Sequence, residues 1–177
     1  MKKFILIING PICAGKSTVS ELLLSNIPNS FRVSWDKIKW FVGGYNKEKH
    51  REVTYRLTLA LAKQAISEGF SLIVDGNGRF SKNSVDEYKI MAKKNKYKFI
   101  EVNIEAPLNI LIDRFKNRIV LAKKNKSKIS LTTVKQMKEG YSSYQEYKNN
   151  TLITFNSNKD GKKKISNEII KLINQKL

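Results

Sequence analysis

Phe4-Ile5-Leu6-Ile7-Ile8-Asn9-Gly10-Pro11-Ile12-Cys13-Ala14-Gly15-Lys16-Ser17-Thr18 is the stretch whose reading decides the fold of this chain. Its first five residues are apolar and mostly β-branched, which suits a strand buried on both faces. Gly10 to Thr18 then match G-x-x-x-x-G-K-[ST] in full. In that pattern consecutive backbone N–H groups wrap phosphates, and the following helix N-terminus adds its positive dipole. Gly10 and Gly15 permit a close approach that a Cβ would hinder, with Cys13 and Ala14 in the loop between them. Lys16 is expected to reach the β- and γ-phosphates of ATP, and Ser17, followed by Thr18, to ligate Mg²⁺. Val19, Leu22 and Leu23 supply the amphipathic helix that the pattern requires.

Outward from this loop, apolar runs alternate with helix-period segments. Strands are expected at Phe4–Asn9, Phe31–Trp35, Ser71–Asp75, Tyr97–Asn103 and Thr151–Phe155. Helices are expected at about 16–26, 47–68, 82–95, 107–119, 131–149 and 164–176. Val53, Leu57, Ala60, Leu61 and Ala65 share one helix face, and Ile165, Ile169, Leu172 and Ile173 share another, so both faces are expected to be buried. Strand–helix alternation implies parallel strands joined by right-handed crossovers, hence a three-layer α/β domain. With no linker or repeat, residues 1–177 read as a single domain. Ligands in such sheets bind beyond the carboxyl ends of the strands, so the chemistry is expected just after each strand.

The composition, 41% hydrophobic and 10% aromatic, is that of a globular chain. No apolar run approaches the ~20 residues of a membrane span, and Phe4–Ile8 is too short for a signal peptide. One cysteine allows no internal disulfide, and no His/Cys cluster suggests zinc, so a cytoplasmic setting is expected. The net charge of +19 is concentrated late in the chain: Arg114 to Lys138 holds nine basic residues and no acidic one. That density either attracts a polyanion such as nucleic acid or reflects the Lys-, Asn- and Ile-rich coding of an AT-rich genome.

Four strand ends carry further candidates. Asp36, after strand 2, can accept the proton of an acceptor hydroxyl, and it equally suits a helix N-cap. Lys39 either binds an anionic acceptor group or is solvated, and Trp40 and Tyr45 either wall the acceptor pocket or pack inside. Asp75 ends strand 3, where a carboxylate supports Mg²⁺ or orients the acceptor. Asn77 and Arg79 follow it as candidate acceptor contacts. Arg114 and Arg118 lie four apart on one helix face, where arginines can neutralise a transferring phosphoryl group. Arg114 can instead pair with nearby acids. The lysine-rich residues 122–130 read as a mobile lid, within about 119–131. Asn156 follows strand 5, at the expected adenine position. No N-K-x-D guanine motif is present, since Asn46-Lys47-Glu48-Lys49 ends in lysine.

Together these positions resemble the P-loop kinase group that includes phage-type polynucleotide kinases, zeta-toxin-like kinases and chloramphenicol phosphotransferases. The resemblance spans essentially the whole chain, through Gly10–Thr18, Asp36, Val74-Asp75-Gly76-Asn77 and the Arg114/Arg118 helix. It implies strand order 2-3-1-4-5, ATP–Mg²⁺ as donor, Asp36 as general base and Arg118 as lid arginine. Polynucleotide kinases tend to show D-x-x-R where this chain has Asp36-Lys37-Ile38-Lys39. Lysine keeps the charge and loses the bidentate fork. The expected activity is phosphoryl transfer to a hydroxyl of a nucleic-acid 5′ end, nucleotide or nucleoside. A small-molecule kinase for an antibiotic, sugar or metabolite, or an NTP-hydrolysing switch without an acceptor, are the alternatives. The expected assembly is a monomer or homodimer.

Overall fold

The computed structural model describes residues 2–76, 83–148 and 152–175. Five strands, β1 (Phe4–Asn9), β2 (Ser30–Ser34), β3 (Ser71–Asp75), β4 (Lys98–Glu105) and β5 (Ile153–Asn156), form one parallel sheet. Their order is β2-β3-β1-β4-β5, as expected. The helices are α1 (Lys16–Asn26), α2 (Trp35–Ile38), α3 (Lys47–Ser67), α4 (Asn83–Lys94), α5 (Leu108–Lys124), α6 (Val134–Tyr147) and α7 (Lys162–Asn174).

β1 is apolar from Phe4 to Ile8 because both of its faces are covered. Phe4, Leu6 and Ile8 enter one core with Leu23, Leu111, Phe115, Ile165 and Ile169 from α1, α5 and α7. Ile5 and Ile7 enter the other with Tyr55, Leu59, Ala62 and Tyr88 from α3 and α4. This sandwich fixes the sheet's carboxyl edge, where the tips of β1, β2 and β3 lie side by side.

Three expectations need correction. Val53, Leu57, Ala60 and Leu61 of α3 are exposed, Leu57 to 48%, and only Ala65 of that set is buried. The helix buries Thr54, Tyr55, Thr58, Leu59, Ala62 and Ile66 instead. It can bury threonines because their hydroxyls bond back to helix carbonyls, Thr54 to His50 at 2.8 Å and Thr58 to Thr54 at 2.7 Å. Second, α5 continues through Lys124, past the helix end expected at 119. No glycine or proline interrupts it, and Lys123 and Lys124 suit the negative end of the helix dipole. Third, Trp35 belongs to α2 rather than β2. The last helix buries Ile165, Ile169 and Ile173 as expected, with Leu172 packed beside them.

Candidate active site

The phosphate loop sits between β1 and α1. Gly10 has φ +143, and a Cβ there would stand 2.0 Å from the Ile104 carbonyl oxygen on β4, so only glycine lets the loop pass the neighbouring strand. Ala14 is fully buried, and Gly15 caps α1 in the left-handed region at φ +96. Lys16 Nζ donates to the carbonyls of Gly10 at 2.8 Å and Pro11 at 2.7 Å, folding back over the loop it would share with phosphates. Ser17 and Thr18 are exposed on the first turn of α1.

Cys13 lies in the same loop at φ +62, where a glycine would be unstrained. Burial pushes its thiol up, against the opposing pull of Arg118, which shares a hydrogen bond with it, and of Lys16 and Arg114. Arg114 and Arg118 of α5 therefore converge on the phosphate loop. Arg114 donates to the Cys13 carbonyl at 3.3 Å, to Ser157 Oγ at 2.9 Å and to the Ser157 carbonyl at 3.1 Å. Its partners are thus loop oxygens on two sides of the site. Asn156 ends β5 beside them, its side chain capping the turn at Asn158 N (3.0 Å). Glu105, at the tip of β4, accepts from Tyr144 at 2.7 Å and pairs with Lys148 at 2.8 Å, tying α6 to the sheet.

Asp75 is 0% exposed at the tip of β3. Arg32 on β2 holds both of its oxygens, Nη2 to Oδ2 at 2.7 Å and Nε to Oδ1 at 3.3 Å, and reaches Glu21 of α1 at 3.0 Å. Burial pulls the Arg32 proton affinity down, but the bonds to Asp75 and Glu21 together outweigh it and hold the guanidinium charged. Nothing local in the sequence marks Arg32, which is 43 residues from its partner.

On the acceptor side, Asp36 lies in the first turn of α2, whose N-cap is Ser34 rather than Asp36. Its side chain is 56% exposed and rests on Gly76, where an added Cβ would lie 3.0 Å from Oδ2. Gly76 has φ +61 and no side chain, so the carboxylate can settle against the tip of β3. Lys39 is not solvated: it is 3% exposed, with Nζ 2.5 Å from Asp36 Oδ1, 2.6 Å from Ser130 Oγ and over the rings of Trp35 and Trp40. Trp40 meets Tyr45 edge to face at 5.7 Å, and Phe41 beside it is 84% exposed. Ser130 and Trp35 were not singled out from the sequence. The spacing Trp35-x-x-x-Lys39-Trp40 carried the box around the lysine, whereas Ser130 carried no signal. Asn77 and Arg79 lie outside the described residues.

For a magnesium ion, the exposed Ser17 hydroxyl is a hard oxygen donor, whereas Asp75 is fully buried with both oxygens on Arg32 and would support a cation only once that pair opens. Among the described residues no group of three or more His, Cys, Asp or Glu side chains is poised to hold a metal.

The AAA domain family model matches residues 5–143 of the chain. No curated protein sequence matches it. Among solved structures, a candidate kinase from Chloroflexus aurantiacus aligns with a TM-score of 0.72 at 16% identity, covering 97% of this chain and 98% of the other. The APS kinase CysC of Mycobacterium tuberculosis, in complex with AMPPNP and APS, gives 0.67 at 17% identity over 98% and 99%. The Deinococcus radiodurans tunicamycin resistance protein gives 0.62 at 16% identity over 99% and 98%. At these identities the likeness is one of fold.

Proposed function

We propose that this chain, which belongs to the AAA domain family and its P-loop kinase group, transfers the γ-phosphoryl of ATP to a hydroxyl acceptor. The observation that carries the proposal is the half-open Asp36 carboxylate, anchored by Lys39 and Gly76 at a strand tip on the same sheet edge as the phosphate loop. A nucleotide-binding module needs no such carboxylate.

In this reading the backbone of Gly10 to Gly15 wraps the phosphates, and Lys16 exchanges the Gly10 and Pro11 carbonyls for β- and γ-oxygens. Ser17, supported by Asp75, would hold Mg²⁺, which supplies charge neutralisation on the phosphates when bound. Arg118, with Arg114, neutralises charge on the moving phosphoryl group. Asp36 orients the acceptor hydroxyl and takes its proton as the new P–O bond forms and ADP leaves. Asn156 borders the adenine.

The acceptor class best supported is a nucleic-acid 5′-hydroxyl, or a nucleotide or nucleoside. Exposed Lys123, Lys124, Lys126 and Lys128 supply a basic track, and the exposed Phe41 beside Trp40 offers a ring on which a base can stack. The Trp40–Tyr45 pair could equally wall in a small ring, which keeps an antibiotic, sugar or metabolite as the competing acceptor. The setting would be cytoplasmic; among the described residues no helix is long and apolar enough to cross a membrane.

The test is steady-state transfer from ATP to 5′-hydroxyl DNA and RNA oligonucleotides, nucleosides and a panel of antibiotics and sugars. Oligonucleotides should be phosphorylated. If all four lysines contact phosphates, log affinity should fall against log salt with a slope of about −3. Transfer confined to small molecules, with a flat salt response, would refute the nucleic-acid acceptor.

A further inference from the structure

The connection between α5 and α6 threads between the two halves of the site. Ser127, Lys128 and Ile129 line a concavity of about 400 Å³ together with Arg114 and Arg118, the arginines that converge on the phosphate loop. The next residue, Ser130, places its hydroxyl 2.6 Å from Lys39 Nζ, the same ammonium that holds Asp36 Oδ1 at 2.5 Å. Two oxygens on one tetrahedral ammonium stand about 4 Å apart. A primary alcohol of the chain itself therefore lies beside the proposed base, on a segment that also borders the phosphoryl-binding arginines.

This placement is built rather than incidental. Lys39 is fixed by the rings of Trp35 and Trp40, and Leu131, directly after Ser130, packs against the hydrophobic core. The start of α6 is pinned by a capping box in which Thr133 and Gln136 bond reciprocally, with Gln136 also accepting from Thr132 N at 3.0 Å. Ser130 itself is exposed, so its hydroxyl is not confined to the bond with Lys39.

We propose that Ser130 is an intramolecular phosphoryl acceptor: with ATP bound and no external acceptor, the chain phosphorylates its own Ser130. The proposal rests on the kinase reading above. Ser130 Oγ attacks the γ-phosphorus, the bond to the β,γ-bridging oxygen breaks and ADP departs. The hydroxyl proton passes to the Asp36 carboxylate, leaving a phosphoserine ester. The product dianion pairs with Lys39, which lets it persist, and it occupies the acceptor's place.

The experiment uses phosphatase-treated full-length chain, incubated with ATP and Mg²⁺ with and without a 5′-hydroxyl oligonucleotide, followed by intact mass and peptide mapping. The expected result is one phosphoryl group per chain on Ser130, formed at a first-order rate independent of protein concentration. Ser130→Ala should lose the label, and so should Asp36→Asn, with ATP binding retained in both. An unmodified Ser130, a label on another residue, a rate that scales with protein concentration, or a label that survives Asp36→Asn would each overturn the proposal. An oligonucleotide phosphorylated while Ser130 stays unmodified would overturn it and leave the kinase reading intact. A phosphorylated Ser130, with no oligonucleotide product from either the parent chain or Ser130→Ala, would support it and remove the nucleic-acid acceptor.

Discussion

Arg32→Leu is expected to destabilise the fold by about 3–5 kcal/mol, because it leaves a fully buried carboxylate without its cation. Asp75 is 0% exposed, and both of its oxygens rest on the Arg32 guanidinium. Water cannot take over that role without opening the tip of β3. The accompanying Arg32–Glu21 contact lies at the surface, Glu21 being 59% exposed, and adds at most ~1 kcal/mol. For a chain of this size the melting temperature should fall by roughly 6–20 °C, read by calorimetry. Adding Asp75→Asn to Arg32→Leu removes the orphaned charge and should recover much of the loss. A loss below about 1 kcal/mol would show that Asp75 reaches solvent and does not depend on its partner.

Asp36→Asn is expected to lower kcat for phosphoryl transfer by about 10²- to 10⁴-fold while leaving ATP affinity within a few-fold. The amide keeps the size of the carboxylate and can still accept from Lys39, so the packing on Gly76 should survive. It cannot take up the acceptor's proton. Lys39 is 3% exposed, so the substitution takes the counter-charge from a buried ammonium and should cost some stability, limited by the amide oxygen, Ser130 Oγ and the two tryptophan rings that remain around it. The measurement pairs single-turnover transfer with calorimetric ATP binding and a melting curve. A kcat within tenfold of the parent, with folding intact, would remove Asp36 from the proton transfer.

The parts of this fold that were legible in the sequence are those written in local pattern. β1 was expected at Phe4–Asn9 and lies there, because a strand buried on both faces is an unbroken apolar run that ends at Gly10. The strand order 2-3-1-4-5 followed from the resemblance of the phosphate loop, Asp36, the end of strand 3 and the Arg114/Arg118 helix to a kinase group, and the sheet has that order. The buried face of α3 was misread because Val53, Leu57 and Leu61 point outward, while Thr54 and Thr58, neutralised by bonds to their own helix, share the inward face with Tyr55, Leu59, Ala62 and Ile66, and a count of apolar spacing cannot see that compensation.

The site was legible where its residues are contiguous and hidden where they meet through the fold. Gly10 to Thr18 announces itself; the need for glycine at position 10, set by a carbonyl on β4, does not. Lys39 was expected in one of two roles, anion binding or solvation. The structure buries it between two tryptophans that the sequence had placed one helical turn before it and immediately after it. Arg32 and Ser130 reach their partners across 43 and 91 residues of chain, and no local pattern could pair them.

The most direct test of the central claim is the fate of the γ-phosphate itself. In one reaction with γ-labelled ATP, Mg²⁺ and a 5′-hydroxyl oligonucleotide, the label is partitioned between the oligonucleotide and inorganic phosphate. The kinase account predicts label on the oligonucleotide in excess of that released to water, and its loss with Asp36→Asn. Label appearing only as inorganic phosphate, at a rate indifferent to every hydroxyl acceptor offered, would contradict the account and make the chain a hydrolytic NTPase.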